Sequence, residues 1–199
     1  MRKAVILFNL GGPDSLEAVE PFLFNLFNDQ AIISLPTILR YPLAKFISKR
    51  RTPVAKAIYA EMGGKSPILE ETLAQADAIE KNLQNEEDDY KCFIVMRCWN
   101  PRAHQVIKEV KNYNPSQIIL LPLYPQYSGT TSGSSINEWK IKCKENNLNV
   151  ETKLICCYPT EEDFIMSHVN LIKEKIQNQD LGNTILIFSA HGLPESKIT

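Results

Sequence analysis

The residue best placed for chemistry is His191, in the stretch ILIFSAHGLP (185–194). Five of the first six positions are apolar and predict a central strand. The histidine stands at its carboxyl end, where open parallel sheets bind their ligands. An imidazole with an ordinary pKa of about 6.5 can accept a proton near neutrality, and in its neutral form it can ligate a metal. By position alone, a structural histidine explains the residue equally well. Gly192 lets a bulky ligand approach the backbone, and Pro194 stiffens the exit. Ser189 would be the nucleophile in a hydrolase, but the G-x-S-x-G elbow is missing.

Three glycine-containing stretches hint at phosphate binding, each incompletely. NLGGPDS (9–15) follows a strand and opens a helix, but lacks G-x-G-x-x-G spacing and loses one N–H donor at Pro13. GGKSP (63–67) resembles a phosphate loop, yet Tyr59 stands where the leading glycine belongs and a helical pattern precedes it. TTSGSSIN (130–137) is a hydroxyl-rich turn into a helix. His104 and His168 fall in amphipathic helical patterns and read as surface residues. Cys156 and Cys157 fall in a predicted strand, where neighbouring side chains point to opposite faces, a geometry that disfavours joint metal binding. Glu161, Glu162 and Asp163 suit the positive end of a helix.

The elements that position these residues alternate along the chain. MRKAVILFNL, KCFIVMR (91–97), QIILLPL (117–123), ETKLICC (151–157) and TILIFS (184–189) are nearly continuous apolar runs, as in strands covered on both faces. Helical patterns separate them: DSLEAVEPFLFNLFND, PILEETLAQADAIEKNLQN, PRAHQVIKEVKNY, SSINEWKIKCKENN and TEEDFIMSHVNLIKEKIQNQ. This alternation predicts an α/β fold with a doubly wound parallel sheet and right-handed crossovers. Between the first helix and the next regular unit lies an insertion at about 35–62, with helical segments expected at 37–50 and 53–62. LPTILRYPLAKFISKRRTP is apolar, broken by proline and ends in a basic pair. It reads either as a lid packed on the domain or as an exposed lip touching a greasy ligand or a membrane surface.

The chain has 199 residues, 44% hydrophobic and 23% charged, with a net charge of -1. That length suits one α/β domain with a substantial core, and the charge gives no reason to expect nucleic acid as a partner. Five cysteines without C-x-x-C spacing predict free thiols in a reducing, cytoplasmic setting. No run approaches the roughly 18–20 apolar residues of a membrane-spanning helix. The helix due after the fifth strand has barely begun at Thr199, which predicts part of a longer protein.

LFNLGGPDSLEAVEPFLFNLFND, FISKRRTP, GGKSPI, MRCWNP, LPLYPQYSGTTSGSS and ILIFSAHGLP together resemble the ferrochelatase family, in order and approximate spacing. The resemblance covers all 199 residues but only the amino-terminal part of the family's length. It implies one Rossmann-like (flavodoxin-like) chelatase half-domain, a missing second half-domain as partner, and insertion of ferrous iron into protoporphyrin IX. The alternative is a truncated remnant that binds a tetrapyrrole or metal without inserting anything.

By this resemblance His191 matches the active-site histidine, as proton acceptor, metal ligand or both. Arg51, Tyr59 and Ser66 match positions implicated in porphyrin contact. Arg97 and Tyr124 match further pocket positions, and Leu10 matches an apolar residue beside the macrocycle. The insertion corresponds to the lip over the pocket mouth, which favours its exposed reading and a peripheral contact with a membrane. Many relatives carry an aromatic residue where Cys98 stands. Members with an iron–sulfur cluster use a cysteine where Gly129 stands, so no cluster is expected and ferrous iron is the only metal implied, as substrate.

Overall fold

The computed structural model describes residues 1–85, 87–177 and 181–192. Strand β1 (Arg2–Asn9) leads to helices α1 (Val19–Phe27), α2 (Thr37–Glu61) and α3 (Ile68–Leu83). There follow β2 (Asp89–Met96), α4 (Ala103–Tyr113), β3 (Gln117–Pro122), α5 (Ser134–Glu145), β4 (Glu151–Leu154) and α6 (Glu162–Ile176). The strands form one all-parallel sheet in the order β2-β1-β3-β4. β1 is central, with Ile6 opposite Phe93 on one side and Leu120 on the other.

The apolar runs make strands because both faces of the sheet are covered. Ile6, Phe8, Val95 and Leu120 face α4 and α5, where Val106, Ile107, Ile136 and Trp139 meet them. Phe8 and Trp139 pack edge to face with ring centroids 6.2 Å apart. On the opposite face Val5, Leu7, Ile94 and Met96 pack with Ala76 of α3. This is the doubly wound arrangement the alternation predicts. Burial of each large aliphatic side chain contributes about 1.5–3 kcal/mol, so β1, with five consecutive buried residues from Ala4 to Phe8, anchors the fold.

Four expectations are corrected. The first helix starts at Val19 rather than near Asp14, because Ser15 turns the chain first, its Oγ and carbonyl each accepting from the Ala18 N–H at 3.2 Å. The insertion holds one continuous helix, α2, that runs through Pro42 and Pro53. Each proline deprives the carbonyl four residues earlier of its usual donor, but Ile38 and Lys49 are exposed, so water can satisfy those carbonyls. The fourth strand stops at Leu154, leaving Cys156 and Cys157 outside it.

The predicted strand 184–189 does not form: Ile185, Ile187 and Phe188 are 85%, 88% and 81% exposed. A strand that is apolar on both faces needs a layer on each side. Here β4 is exposed throughout and α6 buries none of its residues. Pro194 lies outside the described residues. Among the described residues, no helix is long and apolar enough to cross a membrane.

Candidate functional site

The carboxyl edge of the sheet gathers most of the predicted residues. The Asn9 side chain turns the chain out of β1: its Oδ1 accepts from the Leu10 N–H at 2.9 Å, and its Nδ2 donates to the buried Thr72 hydroxyl at 3.1 Å. The Leu10 carbonyl then accepts from the Cys98 N–H at 2.8 Å, beyond the end of β2. A Cβ at Gly12 would lie 2.5 Å from the Ser66 side chain, so only glycine permits this approach. The contact is locked by the Ser66 N–H, which donates to the Pro13 carbonyl at 2.8 Å.

The GGKSP stretch ends a helix and does not follow a strand. Gly63 and Gly64 take left-handed backbone (φ 93° and 85°), and their N–H groups donate to the Ala60 and Tyr59 carbonyls of α2. That is the geometry of a glycine-terminated helix, which leaves these amides committed rather than aimed at a phosphate. Lys65 is paired with Glu70.

Arg51, Ala55 and Tyr59 recur every four residues, so one face of α2 presents all three. Ala55 and Tyr59 pack with Leu10, Phe27 and Trp99 around Val19, Phe22, Leu23 and Cys98. Arg51 is exposed and places its guanidinium 5.7 Å from the Phe27 ring centroid. Burial raises the Tyr59 phenol above its ordinary pKa. Cys98 is 1% exposed, and burial pushes its thiol up to about 12, so at neutral pH it packs as a small apolar group.

Arg97 is enclosed by partners that sequence reasoning does not supply. Its Nε donates to Ser134 Oγ at 2.7 Å, Nη2 lies 3.0 Å from Asp29 Oδ2, and Nη1 lies 3.4 Å from Glu138 Oε2. Arg102 holds the other Glu138 oxygen at 2.7 Å. Tyr124, past the end of β3, is half-buried with its hydroxyl enclosed beside Ser135, close to Cys98 and Arg97, and burial pushes its phenol up. A π-helical turn, Gly129–Gly133, delivers Ser134 and Ser135 to this region.

Leu10 and Tyr59 thus share one cluster beside the loop after β1, Arg51 reaches that cluster through Phe27, Ser66 packs on Gly12 of the same loop, and Arg97 and Tyr124 lie next to Cys98 of the cluster. His191 is in none of these clusters. It is exposed on a segment without regular secondary structure, its Nδ1 2.8 Å from the Gly192 carbonyl. His104 and His168 are exposed on helices, as expected. Asp29, Ser134 and Glu138 were missed. The available signal was Arg97 itself, since a guanidinium ending an apolar strand requires an anionic partner. A groove of about 390 Å³ between α1 and α2, lined by Glu17, Glu20, Phe24, Tyr41 and Lys45, includes none of the predicted residues.

The sequence model of the family described as Ferrochelatase matches residues 2–199. The ferrochelatase of Pelagibacter ubique is 66% identical over 200 residues, covering 100% of this chain and 58% of that protein. That of Rickettsia bellii is 52% identical, covering 99% and 54%. That of Wolbachia pipientis wMel is 54% identical, covering 100% and 64%. The chain therefore spans between 54% and 64% of the length of these relatives. One family's pattern running from residue 2 to residue 199, on a doubly wound parallel sheet, places the chain in the ferrochelatase family.

Proposed function

We propose that the chain forms the amino-terminal part of a ferrochelatase, which inserts ferrous iron into protoporphyrin IX to give protohaem. Supporting the reading is the meeting of Leu10, Tyr59 and Arg51 on one apolar cluster at the carboxyl edge of the sheet, under a pattern matched over residues 2–199. Insertion exchanges two pyrrole protons for one divalent cation, so the site must grip a flat apolar ring, hold its carboxylates and accept protons. Leu10 and Tyr59 offer apolar surface, worth about 25 cal/mol per Å² covered. Exposed Arg51 is free to bind a propionate through charge-assisted hydrogen bonds. Arg97 already serves two carboxylates, which suits it to shaping the pocket wall. Ser66 and Tyr124 flank the same edge.

His191 is the proposed proton acceptor and iron ligand. Strain in the bound ring, supplied by binding at its periphery, would tilt the nitrogen lone pairs towards the metal. The outer face of α2, with Ile38 82% and Phe46 62% exposed, is proposed as the lip that meets the macrocycle or a membrane surface.

The exposed position of His191 favours a second reading, in which the 199-residue chain binds a tetrapyrrole without metallating it. Anaerobic incubation of the chain with protoporphyrin IX and ferrous or zinc ion, followed by porphyrin fluorescence and absorbance, separates the two. Metalloporphyrin formation that His191→Ala abolishes, with ring binding kept, supports insertion. Ring binding alone leaves the second reading for this chain, and turnover unchanged in His191→Ala refutes the assignment.

A further inference from the structure

Three of the five thiols are shielded. Cys98 and Cys92 are pushed up to about 12 and Cys143 to about 11, chiefly by burial, with Glu80 and Asp77 adding to the effect at Cys92. Cys156 and Cys157 are both exposed and free. Because β4 ends at Leu154, the alternation of a pleated strand no longer separates them, and the neighbouring Cys157 side chain raises the Cys156 pKa. The backbone on either side is fixed. The Ile155 N–H donates to the Leu120 carbonyl and the Tyr158 N–H to the Pro125 carbonyl, each at 2.9 Å. The Tyr158 hydroxyl donates to the Pro122 carbonyl at 3.1 Å.

We propose that Cys156 and Cys157 form a two-sulfur chelating site for a soft, thiophilic metal or metalloid ion. Softness follows from the donors, since thiols favour polarisable ions and oxygen ligands favour hard ones. Ligand number narrows the class further. Zinc takes four protein ligands in structural sites and three in catalytic ones. Among the described residues no group of three or more histidine, cysteine or acidic side chains gathers to complete such a set. Ions satisfied by two sulfurs remain, with trivalent arsenic as the convenient probe. With phenylarsine oxide two S–H bonds break, two As–S bonds form and the oxide oxygen leaves as water; arsenic stays trivalent and nothing is oxidised.

The test uses the reduced 199-residue chain, phenylarsine oxide and intact-mass spectrometry after challenge with a monothiol or a dithiol. One bridging arsenical per chain is expected, retained against the monothiol and removed by the dithiol. Cys156→Ser and Cys157→Ser should each weaken retention roughly a hundredfold, because the second sulfur acts at high effective concentration only when both are present. Cys143→Ser should match the parent. Both serine substitutions are at exposed positions, and circular dichroism verifies that the variants fold. Equal retention in either serine variant, or loss of the parent's arsenical to the monothiol as readily as in those variants, overturns the proposal.

Discussion

Ser134 donates its hydroxyl hydrogen bond to the Asp29 carboxylate at 2.6 Å, joining residues 105 positions apart in the chain. The same carboxylate oxygen holds Arg97, while Asp29 Oδ1 accepts from the Ala31 N–H at 2.9 Å. Asp29 therefore fastens the linker between α1 and α2 to the start of α5 and the end of β2. Asp29→Ala leaves an enclosed guanidinium with Glu138 as its remaining anionic partner and should cost about 2–4 kcal/mol. Asp29→Asn, which keeps an acceptor, should cost less. Urea unfolding of both variants provides the measurement, and an Asp29→Ala midpoint equal to the parent's would show that the tie carries no stability.

The fit of Gly12 against Ser66 gives a paired test. Gly12→Ala places a methyl group 2.5 Å from the Ser66 side chain and should destabilise by about 1–3 kcal/mol, in the range of overpacked cores. Adding Ser66→Gly removes the obstructing atoms and should recover part of that loss. A thermal melt of the double variant no higher than that of Gly12→Ala alone would contradict the steric account.

The Lys3–Asp88 pair predicts a pH dependence of defined sign. Hydrogen bonding to Lys3 lowers the Asp88 pKa, and hydrogen bonding to Asp88 raises that of Lys3. Asp88 thus binds its proton more weakly in the folded state. Its stabilising contribution is present above the unfolded pKa of about 3.9 and is lost as pH falls through the lower folded value. Lys3 behaves oppositely: its contribution is present below about 10.4 and is lost as pH rises through the raised value. The stabilities of the parent and Asp88→Asn should differ near pH 7 and converge in acid. Salt should narrow the difference.

Thiol reactivity should divide two to three. Alkylation proceeds through the thiolate, so Cys92, Cys98 and Cys143 should react slowly at pH 8 and speed up as pH rises towards 11–12. Cys156 and Cys157 are exposed and should react first. Peptide mapping after a brief iodoacetamide pulse reads the order. Early labelling of Cys98 would show that the cluster around it opens readily.

The parts of the fold legible in the sequence were those whose pattern and cover coincide. β1, β2 and β3 read as two-sided strands because α3, α4 and α5 do cover them. The segment 184–189 has the same apolar pattern without two covering layers, and pattern alone cannot reveal a missing layer. Pro42 and Pro53 suggested breaks in the insertion, yet α2 continues because its freed carbonyls lie at exposed residues. At the carboxyl edge, the motifs single out Leu10 and Tyr59, which pack in one apolar cluster. The Asp29–Arg97–Ser134 tie was not legible, because its members come from three distant segments and a surface-type Asn-Asp pair carries no mark of burial.

The uncovered flank of β4 has a practical consequence. Among the described residues β4 pairs with β3 alone, and further along the chain Ile185, Ile187 and Phe188 are largely exposed. An open strand edge offers its unpaired amides and carbonyls to any passing backbone, including that of an identical molecule. For the 199-residue chain, recovery from denaturant should then be governed by dilution more than by the strength of its core, with crowded preparations forming oligomers where dilute ones yield monomers.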